Sequence, residues 1–266
     1  MKFFFAIDVG NTDINIALIL NYKIHKKYRV KTVDFIKRKN INLLFKPFIS
    51  IVKKQILNNK IFCVVSSVVD EINNSLKKII YSFLKTKPLF ISDNLKMLNI
   101  KINIRNKREL GSDRIANVIA VKKIYKYPAI VIDFGTATTF DIIDNKGNYD
   151  GGLITPGINL SLETLYKKTS KLPLVNLKKK REIIGKTSIS AIENGIYWGY
   201  VGLVTFLINK IKKKFNNNIF CISTGGLAKI ISSEIREIKK VDENLTILGL
   251  IEFFKLNYSE QNKQYN

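Results

Sequence analysis

The segment Ala129–Asp141, reading AIVIDFGTATTFD, constrains this chain more than any other. Ala129 to Ile132 is a short apolar run rich in Ile and Val, the composition of a buried strand. Asp133 closes the run, Gly135 and Thr136 follow, and a second β-prone run begins at once. Strand, glycine turn and returning strand place a carboxylate, a hydroxyl and bare backbone N–H groups at one tip. Such a tip suits a polyphosphate: amides and hydroxyl take the oxygens, and the carboxylate handles the accompanying cation. The opening stretch FFFAIDVGNTDINIALIL repeats the design with Asp8, Gly10, Asn11 and Thr12. Two copies predict two like domains facing each other.

The chain has 266 residues, 46% of them apolar, enough to pack one large core or two of ordinary size. No apolar run approaches eighteen residues, so no membrane span is expected. The apolar start MKFFFAID stops at Asp8, too soon for a signal peptide. The reading is a soluble, cytoplasmic protein. Cys63 and Cys221 each sit in an apolar strand-like run and read as small core hydrophobes. The single histidine, His25, lies among lysines, which excludes histidine triads and multi-histidine metal sites. Any general base is then a carboxylate.

Basic residues outnumber acidic ones 45 to 21, for a net charge of +24. Lys is scattered along the whole chain together with abundant Ile and Asn, the trace of an A+T-rich coding bias. Runs such as Lys178–Arg181 and Lys212–Lys214 lack interleaved aromatics, and they read as solvated faces rather than a nucleic-acid surface.

Alternation predicts a three-strand meander over Phe3–Asp8, Ile14–Leu20 and Ile24–Val30. A helix-compatible stretch from Val33 to Ile56 follows, broken at Pro47. Ile61–Ser66 reads as a buried strand, and Asp70 as the N-cap of a helix presenting Ile72, Leu76, Ile79, Ile80 and Phe83. Leu89–Ile91 is a short strand, and a helix opens at Gly111–Arg114. After the second strand–Asp–Gly–Thr unit come a helix from Pro156–Gly157 to Leu165 and a mobile polar loop over Lys167–Lys186. A long helix starts at Ser188, a strand covers Ile219–Ser223, and Thr224–Gly226 opens another helix. A last helix spans about Asn244–Phe254, before a frayed tail from Ser259. No Walker A loop exists, because Lys180 stands where Gly185–Lys186–Thr187 would need a glycine, and no G-x-G-x-x-G follows the first strand.

Six blocks occur in one order: IDVGNT at 7–12, LGSDRIAN at 110–117, IDFGTATTFD at 132–141, GGLITPG at 151–157, GKTSISAIENG at 185–195 and STGG at 223–226. In this the chain resembles the type III pantothenate kinases, of the superfamily of acetate and sugar kinases, actin and heat-shock chaperone ATPases. The resemblance implies an α/β fold of two like actin-like ATPase (ribonuclease H-like) domains, residues 1–115 and 116–257, with a cleft between them and a polar tail at 258–266. It implies ATP-dependent phosphorylation of pantothenate to 4′-phosphopantothenate, the first step toward coenzyme A.

Carried over residue by residue, the resemblance makes Asp8, Val9, Gly10, Asn11, Thr12, Asp13, Ile14 and Asn15 the first ATP phosphate turn, with Thr136 also contacting ATP. Gly111, Ser112, Asp113 and Arg114 would contact pantothenate, Asp113 as catalytic base, and Thr187 would join them. Asp133 would bind a monovalent cation, K+ or NH4+, and Mg2+ would accompany ATP. A homodimer is also implied, sharing the pantothenate pocket near Thr187. At a helix start the charge of Asp113 is favoured, so its pKa need not rise. Where the family shows Tyr and Asn-Pro before this block, the chain has Ile104 and Asn106–Lys107. Two other readings use the same scaffold: a regulatory or nucleic-acid-binding protein, and a kinase of another small hydroxy compound.

Overall fold

The computed structural model describes residues 3–52 and 61–263. The end of the helix-compatible stretch, past Val52, and the last residues of the tail lie outside the described residues. The chain divides into two compact units, one of residues 1–100, 106–124 and 245–266, the other of residues 101–105 and 125–244.

The first unit holds the meander β1 (Phe3–Val9), β2 (Asp13–Leu20) and β3 (Lys23–Lys31). Asn21 and Tyr22 join β2 to β3, both at positive φ, as a two-residue hairpin with the sheet's own twist requires. The helices α1 (Thr32–Arg38) and α2 (Ile41–Phe45) follow, and a 3-10 turn containing Pro47 supplies the expected break. Next come β4 (Phe62–Ser67), α3 (Asp70–Leu84) and β5 (Leu89–Phe90), giving a sheet ordered β3-β2-β1-β4-β5. β4 and β5 run parallel to β1 and to each other. β1 is a continuous apolar run because both its faces are covered. Phe5, Ile7 and Val9 join a core with Phe45, Phe48 and Leu76. Phe4, on the opposite face, stacks on Phe254 at 4.0 Å between ring centroids. Asp70 does not cap α3: the cap position is Val69, without a side-chain bond, and Asp70 begins the first turn.

α4 (Ser112–Ile124) completes the first unit together with α8 (Leu245–Lys263), the last helix of the chain. α8 runs nine residues beyond the expected Phe254, through the start of the predicted tail. It packs on α4 so closely that a Cβ at Gly249 would lie 1.9 Å from the Ala116 carbonyl oxygen. The cut expected at residues 115/116 falls inside α4, which lies whole in the first unit. The helix expected in the second domain belongs there too.

The second unit repeats the plan. β6 (Ala129–Phe134), β7 (Ala137–Ile143) and β8 (Tyr149–Pro156) form an antiparallel meander. α5 (Ile158–Lys168), α6 (Ser188–Lys213), β9 (Phe220–Thr224), the short α7 (Ala228–Ser232) and β10 (Lys240–Val241) follow. The order β8-β7-β6-β9-β10 matches the first sheet position for position. Asp8 and Asp133 each stand one residue from the end of the strand that joins the meander to the parallel pair.

α6 is long and apolar enough to cross a bilayer by length and composition, which the run-length reading did not anticipate. One face of it belongs to the core of its unit: Tyr197, Val204 and Ile208 are fully buried in the cluster with β6, β7 and β9.

Candidate active site

β1 delivers Asp8 opposite Asn15 of β2 and Ser66 of β4. Bonds from the Ser66 and Asn15 side chains favour the ionised form, but burial and the nearby charge of Asp113 outweigh them. The Asp8 pKa is pushed up to about 7. Its Oδ1 is shielded from solvent and has no hydrogen-bond partner. A buried carboxylate oxygen left without a donor is an open position for a cation or a proton.

The turn that follows is held from behind. Thr32 Oγ1 donates to the Gly10 carbonyl at 2.6 Å, and the Thr32 amide donates to the Thr12 carbonyl at 2.9 Å. Asp13 pairs with Lys31 at 2.9 Å, and Asn15 accepts from Arg29 Nε at 3.0 Å. The Gly10 amide donates to the Asp13 carbonyl at 2.9 Å, and the Gly135 amide to the Ala137 carbonyl at 3.1 Å. Both glycine amides, expected to face a phosphate, therefore close their own turns. Asn11 and Thr12 are exposed at the tip, while Val9 and Ile14 are buried.

The start of α4 is fixed by Ser112, which is buried. Its hydroxyl donates to the Ser67 carbonyl at 2.8 Å, accepts the Ser67 amide at 2.7 Å and lies 3.1 Å from Ser66 Oγ. Ser112 thus staples the helix to the end of β4, beside Asp8. Gly111, Asp113 and Arg114 are half-buried. A Cβ at Gly111 would meet the Asp113 carboxylate at 2.5 Å, so glycine makes the space into which that carboxylate folds. There Asp113 Oδ1 accepts the Arg114 amide at 2.7 Å. The helix start does not govern its proton affinity: burial raises the Asp113 pKa above the usual range, against the lowering effect of that bond and of the Arg114 charge. This corrects the expectation of an unshifted Asp113. The cause is three-dimensional, since the walls around the helix start are not adjacent in sequence.

In the second unit two glycines press on the other turn. A Cβ at Gly157 would lie 2.0 Å from the Thr136 carbonyl oxygen. Gly225, at φ +93°, comes so near that its Cβ would lie 2.5 Å from Asp133 Oδ1 and 2.6 Å from the Phe134 carbonyl oxygen. Asp133 is half-buried and Thr136 exposed. A carboxylate and a main-chain carbonyl beside one bare glycine form an all-oxygen set, which fits a hard cation of low charge. Among the described residues no group of three or more His, Cys, Asp or Glu side chains could hold a metal ion. A divalent ion would therefore depend on phosphate oxygens, as Mg2+ commonly does with one or two carboxylates.

Thr187 is the N-cap of α6. Its hydroxyl accepts the Ser190 amide at 3.1 Å while Ser190 Oγ accepts the Thr187 amide at 2.9 Å, a reciprocal capping box. Thr187 is exposed. The structure thus gathers Asp8, Asn15, Ser112 and Asp113 in one unit, and Asp133, Thr136 and Thr187 belong to the other. Ser66 and Thr32 escaped the sequence reading. The one signal for Ser66 was a polar pair ending an apolar run.

A model of the type III pantothenate kinase family matches residues 4–210. A type III pantothenate kinase from Paramagnetospirillum magneticum is 37% identical over 252 residues, covering 95% of this chain and 96% of that protein. Among solved structures, a conserved Campylobacter jejuni protein assigned to the Baf family of transcriptional activators superposes with TM-score 0.59 at 19% identity, over 97% of this chain and 99% of that one. Component A of the Acidaminococcus fermentans (R)-2-hydroxyglutaryl-CoA dehydratase gives 0.55 at 14% identity, over 97% and 100%. At these identities the structural matches speak for the fold alone, the α/β architecture of the actin-like ATPases.

Proposed function

The chain belongs to the type III pantothenate kinase family, and from that premise we infer which residues do what. It transfers the terminal phosphoryl group of ATP to pantothenate, giving 4′-phosphopantothenate for coenzyme A biosynthesis. The observation that carries the residue assignment is the meeting of Asp8 and Asp113 in one unit, near enough for the charge of one to raise the proton affinity of the other.

Asp113 is the catalytic base. It accepts the proton of the attacking hydroxyl, and its raised pKa brings it closer to the working pH, where a general base is most effective. Arg114 offers a planar fork to the pantothenate carboxylate. Gly111 keeps the space beside Asp113 clear, Ser112 fixes the helix start, and Thr187 supplies a further pantothenate contact. Residues 8–15 and Thr136 receive the ATP phosphates. Because the transition state is loose, these residues act by positioning and by electrostatics rather than by covalent chemistry.

Asp133, with the carbonyl beside Gly225, would hold K+ or NH4+. Asp8, with its unpartnered oxygen, would face the Mg2+ that accompanies ATP. Ions held by these carboxylates would supply positive charge that offsets phosphate charge.

The protein works in the cytoplasm as a homodimer built on α6. In support, Phe206 is 60% exposed, and a Cβ at Gly195, Gly199 or Gly202 would meet nothing within 4 Å. Such a stripe admits a second backbone. We do not assign nucleic acid as a partner, because the lysines are scattered along the whole chain rather than gathered in one aromatic-interleaved run.

The test is a coupled assay with purified protein, measuring ADP formed with and without pantothenate and with and without potassium. ADP production that does not depend on pantothenate would overturn the assignment.

A further inference from the structure

Residues 169–187 carry no helix or strand, as the sequence predicts, yet this segment is docked rather than loose. Val175 and Leu177 are buried in the core of the second unit, and Leu172 packs against it. Lys179 pairs with Glu234 at 2.9 Å and donates to Ser233 Oγ at 3.1 Å. The last stretch, 180–187, is fastened three times to α6. Lys180 pairs with Glu193, the indole N–H of Trp198 donates to the Glu182 carbonyl at 3.1 Å, and a Cβ at Gly185 would lie 2.2 Å from the Ala191 amide nitrogen.

The Lys180–Glu193 pair is not an ordinary surface contact. Its side chains are 22% and 12% exposed, against 55% and 28% for Lys179–Glu234 and 70% and 41% for Lys229–Glu243. Exposed pairs contribute little, whereas a shielded pair fixes geometry because separating it strands a charge away from water. This one lies at the start of a stretch whose other end is the turn Gly185–Thr187. Between these fixed points Ile183 and Ile184 bury little, at 70% and 69% exposed.

We propose that Lys180 and Glu193 are positioning residues for pantothenate: their ion pair clamps 180–187 on α6 and sets where the Gly185–Thr187 turn stands. The inference rests on the assignment of Thr187 to pantothenate. Neither residue touches the reacting atoms, so loss of the clamp should weaken pantothenate binding and leave the ATP side and the chemical step intact.

The chain carries a built-in reporter, because Trp198, its single tryptophan, holds the middle of the clamped stretch. Four variants of the full-length protein decide the matter: Lys180→Met, Lys180→Arg, the double change Lys180→Met with Glu193→Gln, and Thr187→Ala. The double change leaves no orphaned charge, so it serves if Lys180→Met alone folds poorly. In Lys180→Met and in the double variant, Trp198 emission should shift to the red and become more open to acrylamide, with saturating pantothenate reversing part of the shift. KM for pantothenate should rise about tenfold, with KM for ATP and kcat within about twofold, and Lys180→Arg should behave as the parent. An unchanged KM for pantothenate in Lys180→Met and in the double variant, with Thr187→Ala raising it, would overturn the clamp and spare the pantothenate assignment. A parental KM in Thr187→Ala would sink that assignment instead. Unmoved Trp198 emission would refute the clamp in either case.

Discussion

The charge of Asp113 reaches Asp8, at the far end of a strand of the same unit, and helps hold a proton on it. Two acids placed this way cannot both ionise freely, so the unit is destabilised by the arrangement that suits it to cationic ligands.

Asp8→Asn should stabilise the protein and abolish its activity. The parent Asp8 holds its proton up to a pH of about 7, whereas in the unfolded chain it ionises near 3.8. The folded state thus binds the extra proton across that window, and stability falls as pH rises from about 4 to about 7. The variant has no such loss, so its advantage should be absent at pH 4 and reach the order of 1 kcal/mol or more above pH 7. Thermal melts across pH 4–8 measure it. A variant less stable than the parent at pH 8 would contradict the burial argument.

Asp113→Asn should lower kcat roughly a hundredfold or more while leaving the melting temperature unchanged or slightly raised. The change is isosteric, and the Arg114 amide keeps an oxygen acceptor in the same place. Collapse of the fold along with the activity would make Asp113 structural, and parental turnover would end its role as base.

The Asp133 assignment predicts a rate that rises with potassium or ammonium and falls when sodium is the sole monovalent cation. Asp133→Ala should erase that dependence together with most of the rate. Steady-state assays in matched chloride salts decide it, and a parent enzyme indifferent to the cation would count against the assignment.

Light scattering coupled to gel filtration should give about twice the 30.5 kDa of one chain. Gly199→Leu fills the open stripe on α6 and should shift the mass toward the monomer. A fully active parent at the monomer mass would remove both the dimer and any shared pocket.

Gly249→Ala should cost about 2 kcal/mol or more, because α4 and α8 must separate to admit the new methyl group. Denaturant midpoints at constant m-value would show it. A neutral result would mean that the helices part without resistance.

The strands and both aspartate turns were legible because their signals are local: β-branched runs, a glycine at the turn, a carboxylate one residue from the strand end. The doubled meander followed from that repetition alone. What escaped belongs to contacts between distant segments. The pattern of α8 announces a helix with apolar residues but not that Phe254 will stack on Phe4, so its place in the first unit could not be read. Thr187 before the helix from Ser188 is legible as a cap, and it is one, whereas only the structure shows the Ser112 hydroxyl bound to β4. The polar composition of residues 167–186 resembles a free loop because Val175 and Leu177 are too few to signal burial.

The chain passes from the first unit to the second after Ile100, back after Arg105, out again after Ile124 and home after Asn244. During synthesis the residues of the second unit have all been made before α8 exists. The first unit must wait for α8 to cover Phe4 and receive Ala116. Vectorial synthesis therefore reverses the usual order, and the second unit can close while the first is still open along that face. Ribosome-bound chains halted with Asn244 just outside the exit tunnel should resist protease across residues 125–244 and yield across 1–124.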